Sequence, residues 1–135
     1  MVAPTRQITL QMPSQQDAPV LADKVRISQV VTNYLTNAMK YSPAHQPIEV
    51  TVHHGEKLAR VAVRDYGNGL TPYEQERIWE RFYRATTTQD MQTNEGLGLG
   101  LYICKLIIQA HQGHLGVESR SGKGSTFWFT LPLAK

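Results

Sequence analysis

Three groups of polar and glycine residues in this 135-residue chain have spacings that could do chemistry. The first is Asn33, Asn37 and Lys40, set in a stretch whose apolar residues recur at helical intervals. At about 100° per residue, positions i, i+4 and i+7 form one narrow stripe of a helix. A carboxamide oxygen suits Mg²⁺, a hard cation that shares its sites with phosphate and water. A lysine one turn on could meet phosphate charge. Asparagine is a mediocre helix former, so two at this interval call for a reason; the plain alternative is a solvated polar face. The second group is Asp65-Tyr66-Gly67-Asn68-Gly69, directly after a strand-like run. A carboxylate at a strand end can accept a hydrogen bond from an exocyclic amine such as that of adenine. Neighbouring glycines permit close backbone approach and positive φ; the alternative is a turn capped by Asp65. The third is Gly96-Leu97-Gly98-Leu99-Gly100-Leu101, just before a helical pattern. Glycines there would expose backbone N–H groups at the positive end of a helix, a cradle for phosphate.

Two familiar phosphate motifs are absent. The dinucleotide fingerprint requires G-x-G-x-x-G after a strand, whereas this run is G-x-G-x-G after a polar loop. The phosphate loop G-x-x-x-x-G-K-[ST] fails at Gly122-Lys123, which is followed by Gly124 and whose upstream glycine, Gly116, is one residue too far away.

The elements that must position these groups can be read from periodicity and punctuation. Residues 6–12 alternate polar and apolar, as a half-buried strand does. Asp23 is a fitting N-cap for a helix to about Lys40, with Ile27, Val30, Val31, Tyr34, Leu35 and Ala38 on its apolar face. The Asn33–Asn37–Lys40 stripe then lies roughly 120° from the centre of that face, at its edge. Ser42-Pro43 stops the helix, because the residue before proline is pushed out of helical conformation. Ile48 to His54 and Leu58 to Asp65 read as a hairpin around Gly55-Glu56-Lys57. Thr71-Pro72-Tyr73-Glu74 is a capping box that predicts a helix over 72–81. Residues 85–95 are polar and aperiodic, a loop. A helix follows over 99–111, closed by Gly113, then strands at 114–119 and 125–131 around Ser121-Gly122-Lys123-Gly124. Hairpins exclude an all-parallel sheet. The expected fold is α+β: a two-layer α/β sandwich, its sheet mixed and mostly antiparallel, with about three helices on one face.

Composition agrees with a single domain over 1–135. The net charge of +3 suits a polyanionic ligand such as a nucleotide but falls far short of a nucleic-acid-binding surface. Cys104 is the single cysteine, so no intrachain disulfide can form; it sits in an apolar run and reads as a buried thiol in a reducing, cytoplasmic compartment. No apolar stretch approaches the roughly 20 residues of a membrane span, and residues 1–11 lack the features of a signal peptide, so any membrane anchor of a parent protein would lie elsewhere.

Together, in this order and spacing, the motifs resemble those of the catalytic, ATP-binding domain of sensor histidine kinases, in the Bergerat-fold ATPase superfamily. Asn33-Tyr-Leu-Thr-Asn37-Ala-Met-Lys40-Tyr41-Ser-Pro resembles their asparagine box, and Asp65-x-Gly67-x-Gly69 their first glycine box. Ile78-Trp-Glu-Arg-Phe82-Tyr-Arg84 resembles their phenylalanine box, Gly96-x-Gly98-Leu-Gly100-Leu their second glycine box, and Gly124-Ser-Thr126-Phe-Trp-Phe-Thr-Leu-Pro132 their closing strand. The resemblance runs from about residue 6 to 132.

By that resemblance Asn37 binds the Mg²⁺ that bridges the ATP phosphates, Asn33 lies beside them, Lys40 contacts phosphate and Tyr41 packs near the nucleotide. Asp65 bonds the adenine amine, Gly67 and Gly69 shape the pocket floor, and Leu70, Leu97 and Leu99 adjoin the nucleotide. Residues 84–98 form a lid, with Phe82 anchoring its start, Gly96, Gly98 and Gly100 its hinge, and Arg84 reaching the γ-phosphate. Thr126 supports Asp65 and a water at the adenine edge. The resemblance further implies a two-component system: a phosphoacceptor histidine on a separate helical dimerisation domain of the parent, a response regulator downstream, and an isolated catalytic domain that is monomeric and does not phosphorylate itself. The alternatives are a nucleotide-binding module without transfer activity and a gyrase- or chaperone-type ATPase. Against the latter, related ATPases carry a water-activating glutamate one turn before the metal-binding asparagine, where this chain has Asn33. None of His45, His53, His54, His111 and His114 has the acidic context of a phosphoacceptor or precedes the asparagine box; each reads as a surface or capping residue.

Overall fold

A computed structural model of the chain describes residues 8–11, 20–81, 83 and 100–134. The elements follow in the order β1 (Ile8–Gln11), α1 (Lys24–Tyr41), β2 (Ile48–His54), β3 (Leu58–Asp65), α2 (Pro72–Arg77), α3 (Gly100–Ala110), β4 (His114–Ser119) and β5 (Ser125–Pro132). Five strands form one sheet in the order β1-β2-β3-β5-β4. β1 runs parallel to β2, and the other neighbours are antiparallel. The mixture follows from the connections: α1 carries the chain between β1 and β2, as a parallel pair requires, while tight turns join β2 to β3 and β4 to β5. The expected mixed sandwich is the fold observed.

Residues alternate across the sheet, so one face meets the helices. On that face Ile48, Val50, Val63, Phe127, Phe129 and Leu131 are buried against Val30, Tyr34 and Ala38 of α1 and Cys104, Ile107 and Ile108 of α3. Burying one such side chain completely stabilises by about 1.5–3 kcal/mol, which explains why both helices are held flat on the strands. Tyr34 sits at the centre, 0% exposed, with its ring 5.6 Å from Phe127 and 5.9 Å from Phe129. Its hydroxyl donates to the Trp128 carbonyl at 3.0 Å, so the buried phenol has a partner. Burial and the nearby Cys104 thiol both push its pKa up. On the opposite face Trp128 lies over Gly116, where a Cβ would meet the indole, and the Arg60 guanidinium stands 5.3 Å from the Trp128 ring centre.

Helix ends obey the expected caps, with two differences. Asp23 Oδ1 accepts from the N–H groups of Val25 and Arg26 at 3.0 and 3.2 Å, and Ser42 turns the chain out of α1 in extended conformation. The Thr71–Glu74 capping box is complete, but α2 ends at Arg77 rather than near 81; residues 78–81 are turns that bring Ile78 and Trp79 to the core. At the end of α3 the left-handed residue is Gln112, with φ 61°, not Gly113. Gly113 N–H reaches back to Ile108 O at 2.9 Å and Gln112 N–H to Gln109 O at 3.0 Å, so Gln112 occupies the position that usually takes glycine. Gly113 is needed for another reason: a Cβ there would run into the Thr130 carbonyl oxygen. His111 ties the two long helices together. Its Nδ1 lies 2.8 Å from Ile107 O and its Nε2 accepts from Asp23 N–H at 3.0 Å, the capping role anticipated for it.

Candidate functional site

The sheet-side end of the site begins where β3 stops. Asp65 is 3% exposed, and its Oδ1 accepts from Gly67 N–H at 2.9 Å, which folds the chain back on the carboxylate. Gly67 lies against the last residue of α1: a Cβ would strike the Tyr41 carbonyl oxygen. Gly69 has φ 74° and abuts the Arg120 carbonyl. Gly124, at φ 83°, abuts the Asp65 carbonyl in the same way. These glycines are therefore demanded by contacts between backbones within the protein, which form a packed wall.

A hydroxyl cluster holds that wall. Ser119 Oγ accepts from Leu70 N–H at 2.7 Å, donates to Gly124 O at 2.9 Å and stands 2.8 Å from Ser125 Oγ. Gln75 of α2 donates to Leu70 O at 3.0 Å and to Ser119 O at 2.9 Å. Gly122 N–H adds a bond of 2.6 Å to Asn68 O. Leu70 is half-buried against the core beside these bonds. Ser119 and Gln75 lie in no motif, and Ser125 lies in the closing-strand motif without a role of its own. The strand alternation alone could have singled out Ser125, because it is the residue paired with Asp65.

The sheet register sets Thr126 apart from Asp65. It pairs with Arg64 and with Glu118, one residue out of step with Asp65. Alternation therefore puts Thr126 on the face away from the helices, while Asp65, Ser125 and Phe127 share the helix-covered face. The structure brings Ser125, not Thr126, to Asp65.

The helical end of the site is the edge of α1. Asn33, Asn37, Lys40 and Tyr41 are all half-buried, as expected for a stripe bordering the apolar face. Lys40 Nζ lies 5.2 Å from the Tyr41 ring centre. Asn33 Nδ2 donates to Gly100 O at 3.2 Å, across to the first residue of α3, and lies 3.6 Å from Cys104 Sγ one turn further on. No side-chain hydrogen bond from Asn37 runs to another described residue. An oxygen at the rim of the core with that capacity fits a Mg²⁺ ligand, and with Lys40 the donor set fits a metal-bound polyphosphate. Gly100 is helical and exposed, and a Cβ on it would make only ordinary contact with Asn33, so sterics do not require glycine there. Burial pushes the Cys104 thiol up to about 11, against a partial lowering by the Asn33 hydrogen bond, so the thiol stays protonated. Phe82, Arg84, Gly96, Leu97, Gly98 and Leu99, with the lid expected over 84–98, lie outside the described residues.

Asn33 and Tyr41 thus mark the two ends of one edge, the first against the start of α3 and the second against the turn after Asp65. Eight residues of helix span about 12 Å. That is comparable with the reach of an adenine nucleotide from its exocyclic amine to its terminal phosphates. Among the described residues no group of three His, Cys, Asp or Glu side chains could hold a metal. Among the described residues, too, no helix is long and apolar enough to cross a membrane.

Known proteins resemble this chain in sequence and fold. The adaptive-response sensory kinase SasA of Synechocystis is 42% identical over 130 residues, covering 95% of this chain and 33% of that protein. The sensor histidine kinase WalK of Bacillus subtilis is 39% identical, covering 87% of this chain and 19% of its own length. This chain therefore spans a third or less of either relative. Among solved structures, the nucleotide-free catalytic domain of histidine kinase ThkA superposes with a TM-score of 0.80 at 28% identity, covering 96% of this chain and 81% of that one. Full-length ShkA in complex with AMPPNP superposes with a TM-score of 0.81 at 31% identity, covering 97% of this chain and 26% of that one. Residues 22–135 match the family described as histidine kinase-, DNA gyrase B- and HSP90-like ATPases, and with histidine kinases as its relatives in both sequence and structure, the chain belongs to that family.

Proposed function

We propose that this chain is the catalytic domain of a two-component sensor histidine kinase, which binds Mg-ATP and donates the γ-phosphoryl group to a histidine on a separate helical domain of its parent. The observation that carries the reading is the α1 edge, which runs from the start of α3 at Asn33 to the Asp65–Gly67 turn at Tyr41. One helix edge thereby links a phosphate-type end to an adenine-type end.

Each residue has a task in this reading. Asp65 accepts the adenine amine, held in place by Gly67 N–H and with Ser125 beside it. Asn37 offers its carboxamide oxygen to the metal, and Lys40 meets phosphate charge. The N–H groups of the first turn of α3 supply partial positive charge. Mg²⁺ and ATP, when bound, supply charge neutralisation and the transferable phosphoryl group. Phosphoryl transfer depends on positioning and electrostatics more than on covalent help from the protein, so a site of this composition suffices. A lid over 84–98, with Phe82 anchoring its start, Arg84 reaching the γ-phosphate, Gly96 and Gly98 in its hinge and Leu97 and Leu99 adjoining the nucleotide, completes the site. Asn33 stands where a hydrolytic relative has its glutamate, so water is poorly activated and an external acceptor is favoured. The partners are the helical phosphoacceptor domain and, beyond it, a response regulator.

Two measurements test this. Calorimetry with Mg-ADP should show binding that Asn37→Ala and Asp65→Asn each weaken, by about 30-fold for Asp65→Asn. Labelled ATP plus the parent's helical domain in trans should give phosphohistidine on that domain. Steady phosphate release by this chain alone would instead mark an ATPase, and binding without transfer to a competent acceptor would mark a regulatory nucleotide module.

A further inference from the structure

We propose that Asn33 is a positioning residue: a strut that fixes the first turn of α3 to the middle of α1, and so sets the phosphate-facing N–H groups at a constant offset from Asn37. The inference rests on the nucleotide reading above for its consequence, but the strut itself stands on geometry. Asn33 Nδ2 bonds Gly100 O at 3.2 Å and approaches Cys104 Sγ at 3.6 Å. Cys104 Sγ in turn lies 4.0 Å from Val30 O. One carboxamide, one thiol and two main-chain carbonyls therefore close the gap between the helices at a single level. Gly100 opens α3, and the first four N–H groups of a helix have no partner within it. These are the donors a phosphate would use, and Asn33 holds the carbonyl at their base.

The two asparagines of the stripe thus have opposite duties. Asn37 lends its side chain to a ligand, whereas Asn33 commits its donor to the protein. An aspartate at position 33 would keep the shape but present oxygen to the Gly100 carbonyl, repelling where the amide attracts. Alanine would leave the carbonyl with only its partner inside α3. Either change frees the start of α3 without touching the Asp65 end, so the loss should fall on phosphates and spare adenine.

Cys104 supplies the readout, because it is the chain's one cysteine and is 0% exposed beside the strut. Its alkylation requires the α3 turn to open. In Asn33→Ala and Asn33→Asp, alkylation of Cys104 and amide exchange of residues 104–107, the first whose N–H groups are bonded within α3, should both accelerate about tenfold, the size expected for one lost hydrogen bond. Losing the amide also raises the thiol pKa, which slows alkylation, so a faster rate reports opening. Mg-ADP affinity should fall about tenfold in the same variants while adenosine affinity is unchanged. Asn37→Ala should weaken Mg-ADP and leave both opening measurements at the wild-type rate. Unchanged alkylation and exchange in Asn33→Ala would overturn the strut, as would equal acceleration in Asn37→Ala. Loss of adenosine binding along with Mg-ADP would overturn the claim that the effect is confined to phosphates. A chain that bound no nucleotide at all, yet opened faster in Asn33→Ala, would refute the nucleotide reading and leave the strut intact.

Discussion

At the sheet end of the site, four backbone segments are locked against one another around Asp65. Gly67 touches Tyr41, Gly69 touches Arg120, Gly124 touches Asp65, and the Ser119 hydroxyl bonds Leu70 and Gly124. At the helical end, a single carboxamide spans two helices, and Gly100 is unencumbered by comparable packing. The difference follows from what each end is made of. Strand ends and tight turns bring carbonyls within contact of each other, so the wall there is fixed by contacts within the protein. Helices meet through side chains, so their ends keep N–H groups and carboxamides available. In the nucleotide reading, adenine is recognised by a preformed wall and phosphates by groups that stay free to rearrange.

The largest expected effect attacks the wall. Gly69→Ala places a Cβ at φ 74° and against the Arg120 carbonyl, so it should destabilise the chain by about 3 kcal/mol, combining left-handed strain with overpacking. Urea unfolding measures it. Gly100→Ala is the matched control at the helical end; it should be neutral or slightly stabilising, because helical alanine is preferred to glycine and the site is open. Equal damage from both would erase the contrast between the two ends.

Next in size is Asp65→Asn. The asparagine oxygen can still accept from Gly67 N–H, so the turn should hold, while adenine nucleotide affinity should drop about 30-fold through loss of a charged acceptor. Calorimetry with Mg-ADP and with adenosine should show the same factor for both. A smaller effect separates Ser125 from Thr126. Ser125→Ala should weaken adenosine binding several-fold, about 1 kcal/mol, and Thr126→Val should leave it unchanged, because only Ser125 shares the face of Asp65. The reverse result would place the adenine edge on the other side of the sheet.

The smallest effect concerns neither end. Gln112 holds a left-handed conformation at the close of α3, and Gln112→Gly should raise stability by about 0.5–1 kcal/mol, seen as a higher melting temperature. Nucleotide affinity should not change.

Most element boundaries were legible because their causes are local. Asp23 caps α1, Ser42-Pro43 ends it, Thr71 and Glu74 close the capping box, and glycine turns delimit the strands. The misses have tertiary causes. α2 stops at Arg77 because Ile78 and Trp79 are drawn into the core, where Trp79 meets Phe127 edge-on at 5.8 Å. Gly113 looked like a left-handed cap, yet its lack of a Cβ serves contact with β5 and Gln112 carries the strain. Ser125 and Thr126 are neighbours in one motif, whereas a sheet separates them onto opposite faces, and only Ser125 pairs with Asp65.

Residue types and intervals were enough to assign the Asn33–Asn37–Lys40 stripe, the Asp65 turn and the family, since each depends on a helical period or a run of adjacent residues. What required the folded chain was the division of labour inside those motifs. Whether an asparagine binds a ligand or braces a neighbouring helix depends on what stands across from it. For Asn33 that is Gly100, 67 residues away, and no local rule carries information over that distance.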